Sequence, residues 1–210
     1  MSKKILILGG ARFHGLLLAE SLSKSGEEVY VLNRGNYRSE YKFQIKHLIA
    51  DRNDVSCLER VLNGQFDVVV DNNAYNSAQV KTILNLVEKR CGHYIFTSSI
   101  ATYLRHASAK PLYEKEATGI QEELFSPKIK DYALGKLAAE EEIREKHDGL
   151  NYTILRLPNV FGEGDFAGKL FSFYRELKKG KKIFLEKEIE KFSLIYAPDA
   201  SSIFEKVIGL

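Results

Sequence analysis

Cysteine is scarce. The 210 residues hold two, Cys57 and Cys91, with no CxxC pair and no metal-ligand spacing. That excludes a disulfide-stapled scaffold and a cysteine-built zinc site. Both cysteines fall in stretches that read as helical and partly apolar, so two free thiols in a reducing compartment are expected. Long apolar runs are also missing. None approaches the roughly 20 residues needed to cross a bilayer. The run Ile5–Leu8 is too short for a signal peptide, and glycines follow it at once. A cytoplasmic protein with no membrane partner is expected. Charge of one sign is lacking too. The 31 Lys and Arg against 28 Asp and Glu leave +3, too little for an electrostatic nucleic-acid footprint. The basic cluster Lys178–Lys182 reads as a helix C-terminus followed by a solvated turn. There is no internal repeat and no low-complexity tract.

What remains is an ordinary packed composition, 44% hydrophobic and 28% charged, at a length that suits one domain or one domain with a small lobe. Periodicity predicts strands at Lys4–Leu8, Glu28–Leu32, Phe43–Ala50, Asp67–Val70, Tyr94–Ser98 and Tyr152–Leu157. It predicts helices at Phe13–Lys24, Val55–Leu62 (opened by Asp54), Ser77–Lys89 and Tyr132–Lys146. Strands alternating with helices imply an α/β, Rossmann-type doubly wound parallel sheet with helices on both faces. This core is expected over residues 1–164. Residues 165–210 read as a small C-terminal segment: a helix, strand-like pieces near Ile183–Leu185 and Ser193–Tyr196, and a last helix from near Pro198-Asp199. Leu104–Lys130 is long, polar and weakly periodic, as functional loops often are.

The first turn reads Gly9-Gly10-Ala11-Arg12-Phe13-His14-Gly15. It leaves a predicted strand and opens a predicted helix, the context in which a glycine-rich loop binds a dinucleotide. A diphosphate needs backbone N–H groups with no Cβ in the way, and a helix N-terminus supplies them with a favourable dipole. Gly9 is expected to allow the tight turn, Gly10 the close approach of phosphate, and Gly15 the packing of helix on strand. Arg12 and Phe13 lie inside the loop. After the second strand stand Asn33 and Arg34, where an NAD-preferring site would carry a carboxylate. A guanidinium there, with Arg12 in reach, favours the 2′-phosphate of NADP over NAD. The plainer alternative is a solvated loop charge. Asp51 after the third strand is a candidate acceptor for the adenine amino group, with Arg52 beside it. Asn72, Asn73 and Ala74 follow the fourth strand at the ligand-binding edge, although helix capping by Asn76 or Ser77 accounts for that polar run equally well.

Tyr132 and Lys136 lie four apart, on one helix face. A nearby ammonium is expected to lower the phenol pKa, which poises it for proton transfer. Ser98-Ser99 ends the fifth strand, where a hydroxyl can meet both the phenol and a substrate oxygen.

In that order, GGARFHG, VLNRG, ADRND, FTSSIATY, YALGK and LRLPNVFG resemble the extended short-chain dehydrogenase/reductase superfamily, in its NAD-dependent epimerase/dehydratase branch. The resemblance covers nearly the whole chain. Arg12 replaces the middle glycine, as in the subgroups that include chloroplast stem-loop RNA-binding proteins. The spacing from Ser99 to Tyr132 is long, and most members extend further at the C-terminus. The resemblance implies a hydride-transfer site. Ser99 matches the catalytic serine, Tyr132 the acid/base, and Lys136 its partner on the nicotinamide ribose. Pro158 matches a residue beside the nicotinamide, Asn159 one beside the substrate, and Asp199 a structural position where the substrate lobe rejoins the core. Two-helix interfaces among members suggest a homodimer by analogy.

Three functions are compatible with this reading. The first is an oxidoreductase or epimerase acting on a nucleotide sugar. The second is a non-catalytic NAD(P)-binding sensor or RNA-associated protein, in which Tyr132 is dispensable. The third is a reductase of a small ketone.

Overall fold

The computed structural model describes residues 2–36, 41–103, 113–116, 126–147, 149–165, 168–183 and 193–209. The first strand, β1 (Lys4–Leu8), leads through the glycine loop into α1 (Phe13–Lys24) and back to β2 (Glu28–Asn33) and β3 (Lys46–Ile49). Then follow α2 (Val55–Val61), β4 (Phe66–Asp71), α3 (Ser77–Val87), β5 (Cys91–Ser99), α4 (Pro127–Lys146) and β6 (Tyr152–Leu157). The chain closes with β7 (Asn159–Phe161), α5 (Lys169–Lys178), β8 (Leu194–Tyr196) and α6 (Ala197–Gly209).

All six strands of the main sheet are parallel, in the order β3-β2-β1-β4-β5-β6. The order reverses direction between β1 and β4, and there the connections leave for opposite faces and open a crevice at the carboxyl edge. The expected doubly wound α/β fold is present. The apolar run of β1 explains the two-sided cover, since alternate residues of a strand face opposite ways. Leu6 and Leu8 enter one cluster with Leu58 from α2, Val80, Ile83 and Leu84 from α3, and Ala139 and Ile143 from α4. Ile5 and Ile7 enter the other with Leu18 and Leu22 from α1 and Ala200, Phe204 and Ile208 from α6. Each large aliphatic side chain so buried contributes about 1.5–3 kcal/mol. The helix α6 thus returns to the core and covers the face that α1 only half covers.

Local chemistry sets most boundaries. Asp54 caps α2 by accepting from the Cys57 N–H at 3.0 Å, and Asn76 caps α3 from the Gln79 N–H at the same distance. Four expectations shift. The third strand is four residues long, because Phe43 to Ile45 lie outside the ladder and Ile45 packs on the α1 face instead. The helix α4 starts five residues early, with Pro127 in its first turn, where a missing N–H costs nothing. Cys91 opens a strand, not a helix, and burial pushes its thiol up to about 11. A short parallel ribbon pairs β7 with β8 beyond Pro158, and only the β8 half was readable from periodicity. The piece expected at Ile183–Leu185 runs outside the described residues, as does most of the long polar stretch. Among the described residues, no helix is long and apolar enough to cross a membrane.

Candidate active site

The predicted site residues converge on the carboxyl edge of the sheet. Gly9 sits at φ +86°, a left-handed conformation that favours glycine. A Cβ on Gly15 would lie 2.5 Å from the Gly9 carbonyl oxygen, so helix and turn meet as closely as expected. Gly10 does something else. A Cβ there would strike Val31 Cγ2 at 2.8 Å and Ile7 Cγ2 at 3.0 Å. Its missing Cβ lets the turn pack closely on the sheet. Arg12 is the extended N-cap residue of α1, and Phe13 adopts φ +54°. No side chain caps α1 and no acidic residue stands in its first turn. The Asn72 Nδ2 is buried without a partner beside Gly15. A helix start without a side-chain cap and an orphaned amide fit a diphosphate.

At the end of β2, Asn33 Oδ1 accepts from the Gly35 N–H at 2.7 Å, which turns the chain and leaves Arg34 exposed. Asp51 is half-buried and accepts from Asn53. Arg52 does not flank an open adenine site. It is buried and forms a two-pronged ion pair with Asp71, both bonds at 2.9 Å, and it also donates to Asn73 Oδ1 and the Gln79 carbonyl. Asp71 is fully buried and takes further bonds from the Tyr94 hydroxyl at 2.9 Å and the Ala74 N–H at 3.1 Å. Burial opposes its charge, yet Arg52 and Tyr94 hold its carboxyl below the usual range. This pair fixes the turn that carries Asn73 and Ala74.

Lys136 is 2% exposed and donates to the Ala74 carbonyl at 2.7 Å and the Thr97 carbonyl at 2.6 Å. Its ammonium lies over Phe96 at 4.9 Å, Tyr75 at 5.3 Å and Tyr132 at 5.9 Å from the ring centroids. Ser99 lies near enough to Tyr132 to act on its phenol, and its Oγ accepts from the Ala101 N–H at 3.2 Å. Ser98 is turned away, toward Glu140. Of the adjacent serines, the structure therefore brings Ser99, not Ser98, to the phenol. The expected lowering of the phenol pKa is not found. Burial raises it and outweighs the opposing influence of Ser99, while the Lys136 ammonium donates to two backbone carbonyls. Pro158 is half-buried and Asn159 is exposed at the start of β7.

The sequence profile of the NAD dependent epimerase/dehydratase family matches residues 5–209. The chain belongs to that family. Similar members of the epimerase/dehydratase fold include the Bordetella bronchiseptica enzyme WbmG, solved with NAD and UDP. It is 21% identical, with a TM-score of 0.80, over 98% of this chain and 68% of that one. The UDP-N-acetylglucosamine 4-epimerase from Bacillus cereus is also 21% identical, with a TM-score of 0.76, over 99% and 72%. A relative in Arabidopsis thaliana, the chloroplast stem-loop binding protein of 41 kDa b, is 30% identical over 99% of this chain. The chain spans 55% of that relative's length.

Within this epimerase/dehydratase chain, the residues that sequence reasoning missed are mostly buried partners. Glu140 lies one turn beyond Lys136 and is fully buried. It gathers Ser98, Arg144 at 2.8 Å and both sides of the Arg156 fork at 2.9 and 2.6 Å. Arg156 also reaches the Tyr103 hydroxyl at 2.8 Å and the Glu114 carbonyl at 2.7 Å. The visible signal was an arginine set between leucines inside an apolar strand, with a glutamate at helical spacing from Lys136.

Burial of Lys136 has a measurable consequence. It lowers the ammonium pKa from 10.5 to about 8, although Asp71 opposes the shift. Between those values the unfolded chain holds a proton that the folded chain has released, so stability rises with pH across that window. The penalty is fully present below pH 8 and gone above 10.5. In urea titrations from pH 7.5 to 10.5, wild type is expected to gain about 3 kcal/mol over Lys136→Met. Parallel curves for the two proteins would show that the ammonium carries no burial penalty.

Proposed function

We propose that the chain acts as an NAD(P)-dependent nucleotide-sugar epimerase/dehydratase-like oxidoreductase with a Ser99-Tyr132-Lys136 site. The observation that carries this is the meeting of Ser99, Tyr132 and Lys136 at the carboxyl edge, in line with the uncapped glycine loop. A bound nicotinamide supplies hydride acceptance and return. The diphosphate is assigned to Gly9, Gly15 and the start of α1, with Arg12 and Phe13 alongside. The adenine end is assigned to Asn33, Arg34 and Asp51, and the nicotinamide end to Asn73, Ala74 and Pro158. Tyr132 accepts the proton of a sugar hydroxyl and returns it, Ser99 orients that oxygen, and Lys136 holds positive charge behind the phenol. Asn159 is assigned to the substrate side.

Arg34 has no carboxylate beside it in sequence and is exposed, which supports NADP over NAD. Calorimetry with both nucleotides is expected to give tighter NADP+ binding, and Arg34→Ala should erase about tenfold of that advantage. Tighter NAD+ binding that is unaffected by Arg34→Ala would overturn the cofactor choice. The loaded protein is then offered a panel of UDP- and TDP-sugars, with epimer formation read by NMR and cofactor reduction by absorbance. Turnover of one of them is expected. Cofactor binding without any turnover would overturn the enzymatic reading. One observation favours a second reading. The 30% identical relative is named a stem-loop binding protein. A non-catalytic, RNA-associated role predicts a salt-dependent RNA mobility shift and an indispensable glycine loop alongside a dispensable Tyr132.

A further inference from the structure

The turn between β4 and α3 places a second phenol against the proposed reacting pair. Tyr75 is 54% exposed, yet its ring lies 6.2 Å from the Tyr132 ring at an interplanar angle of 55°. The Lys136 ammonium stands 5.3 Å from the same ring. The backbone there is held from several sides. The Tyr75 N–H donates to Gln79 Oε1 at 2.8 Å, and the preceding Ala74 carbonyl accepts from Lys136. The Tyr75 carbonyl lies against Gly135, where a Cβ would come within 2.2 Å of its oxygen. Only a glycine one residue before Lys136 lets the turn sit this low over α4. An aromatic ring held over an ammonium is attracted to it and excludes water from its flank.

We propose that Tyr75 is a positioning residue of the site, its ring forming the solvent-side wall that keeps the Tyr132 phenol and the Lys136 ammonium facing one another. This role rests on the assignment of Tyr132 and Lys136 as the reacting pair. Removing the wall hydrates the phenol. The groups that face Tyr132 are Tyr75 from the β4–α3 turn, Lys136 from its own helix and Ser99 from the end of β5, with the Arg52–Asp71 pair behind Ala74. Burial is the main influence raising the Tyr132 pKa, and the Tyr75 phenol adds a smaller charge effect that both Tyr75→Phe and Tyr75→Ala remove. Loss of the ring therefore lowers it.

The test is site-resolved nitration by tetranitromethane, which attacks the phenolate, followed by peptide mass spectrometry to separate Tyr132 from the other tyrosines. Rates are measured against pH for wild type, Tyr75→Phe and Tyr75→Ala. Tyr75→Ala is expected to shift the Tyr132 rate profile to lower pH. Tyr75→Phe, which keeps the wall, is expected to stay near wild type. Superimposable profiles for Tyr75→Ala and wild type would overturn the proposal, and so would equal shifts in both variants. Tyr75 is exposed, so both variants should fold, and an unchanged unfolding midpoint in urea checks this. The readout is independent of turnover. A shifted profile together with full turnover by Tyr132→Phe leaves the wall intact and removes the catalytic assignment. An unshifted profile with lost turnover does the reverse.

Discussion

Tyr132→Phe is expected to lower turnover of the proposed nucleotide-sugar substrate by about 10²- to 10⁴-fold, the usual worth of a positioned acid/base. The substitution removes one oxygen and keeps the ring. Packing against Tyr75 and the contact with the Lys136 ammonium survive, since both are made by the ring face. The loss is confined to the phenol oxygen that carries the proton beside Ser99. Stability should fall by no more than about 1 kcal/mol, the net value of a single hydrogen bond. Affinity for the nicotinamide nucleotide should hold, because the diphosphate is assigned to the glycine loop. The pH profile separates the two proteins further. Burial holds the Tyr132 pKa above its ordinary value, so the wild-type rate should climb with pH toward that value, and the phenylalanine variant should lack that limb. Undiminished turnover in Tyr132→Phe would remove the proposed chemistry and leave only a cofactor-binding fold.

A second large effect is expected at Asp71. Asp71→Ala should destabilise the fold by about 3–5 kcal/mol, because it strands a buried guanidinium. Arg52 has Asp71 as its only carboxylate among the described ion pairs, and the Tyr94 hydroxyl and the Ala74 N–H lose the same acceptor. Replacing both partners, Arg52→Leu with Asp71→Leu, should cost far less than the single change, since no guanidinium is then left buried without its carboxylate. Urea denaturation of Arg52→Leu, Asp71→Leu and the double closes the cycle. Strict additivity would show that the pair is not coupled. The pH dependence has the opposite sense to that of Lys136. The Asp71 pKa is held low in the folded state, so its stabilisation is present above the unfolded carboxylate value and lost as pH falls through the folded one.

The fold was largely legible in the sequence because each of its signals is local. The run KILIL, the glycine turn and the amphipathic stretch after it specify β1, its exit and α1 within 21 residues, and the structure returns the same bounds for both elements. The strand end at Ser98-Ser99 and the shared helix face of Tyr132 and Lys136 were legible because both follow from periodicity, whereas the choice of Ser99 came from the family resemblance. What stayed hidden depends on distant partners. Arg52 follows a strand end, where a ligand contact is a sound expectation, but its fate is decided by a carboxylate at the end of β4, on the far side of β2 and β1. The direction of the Tyr132 shift was misjudged for a similar reason. Spacing places an ammonium beside a phenol, yet only the folded chain shows that the ammonium donates to the Ala74 and Thr97 carbonyls and that burial dominates at Tyr132. Tyr75 gave no signal at all. Its importance comes from the shallow packing of one turn over Gly135.

The return of α6 to the first strand's face has a bearing on how the protein is made. Phe204 stacks flat on His14 at 6.2 Å, and the Lys3 ammonium reaches the Ile208 carbonyl. On a ribosome, the residues of β1 and α1 therefore emerge well before the α6 residues that close one side of their layer to water. Until then Ile5, Ile7 and Leu18 offer an open apolar surface to chaperones or to other nascent chains.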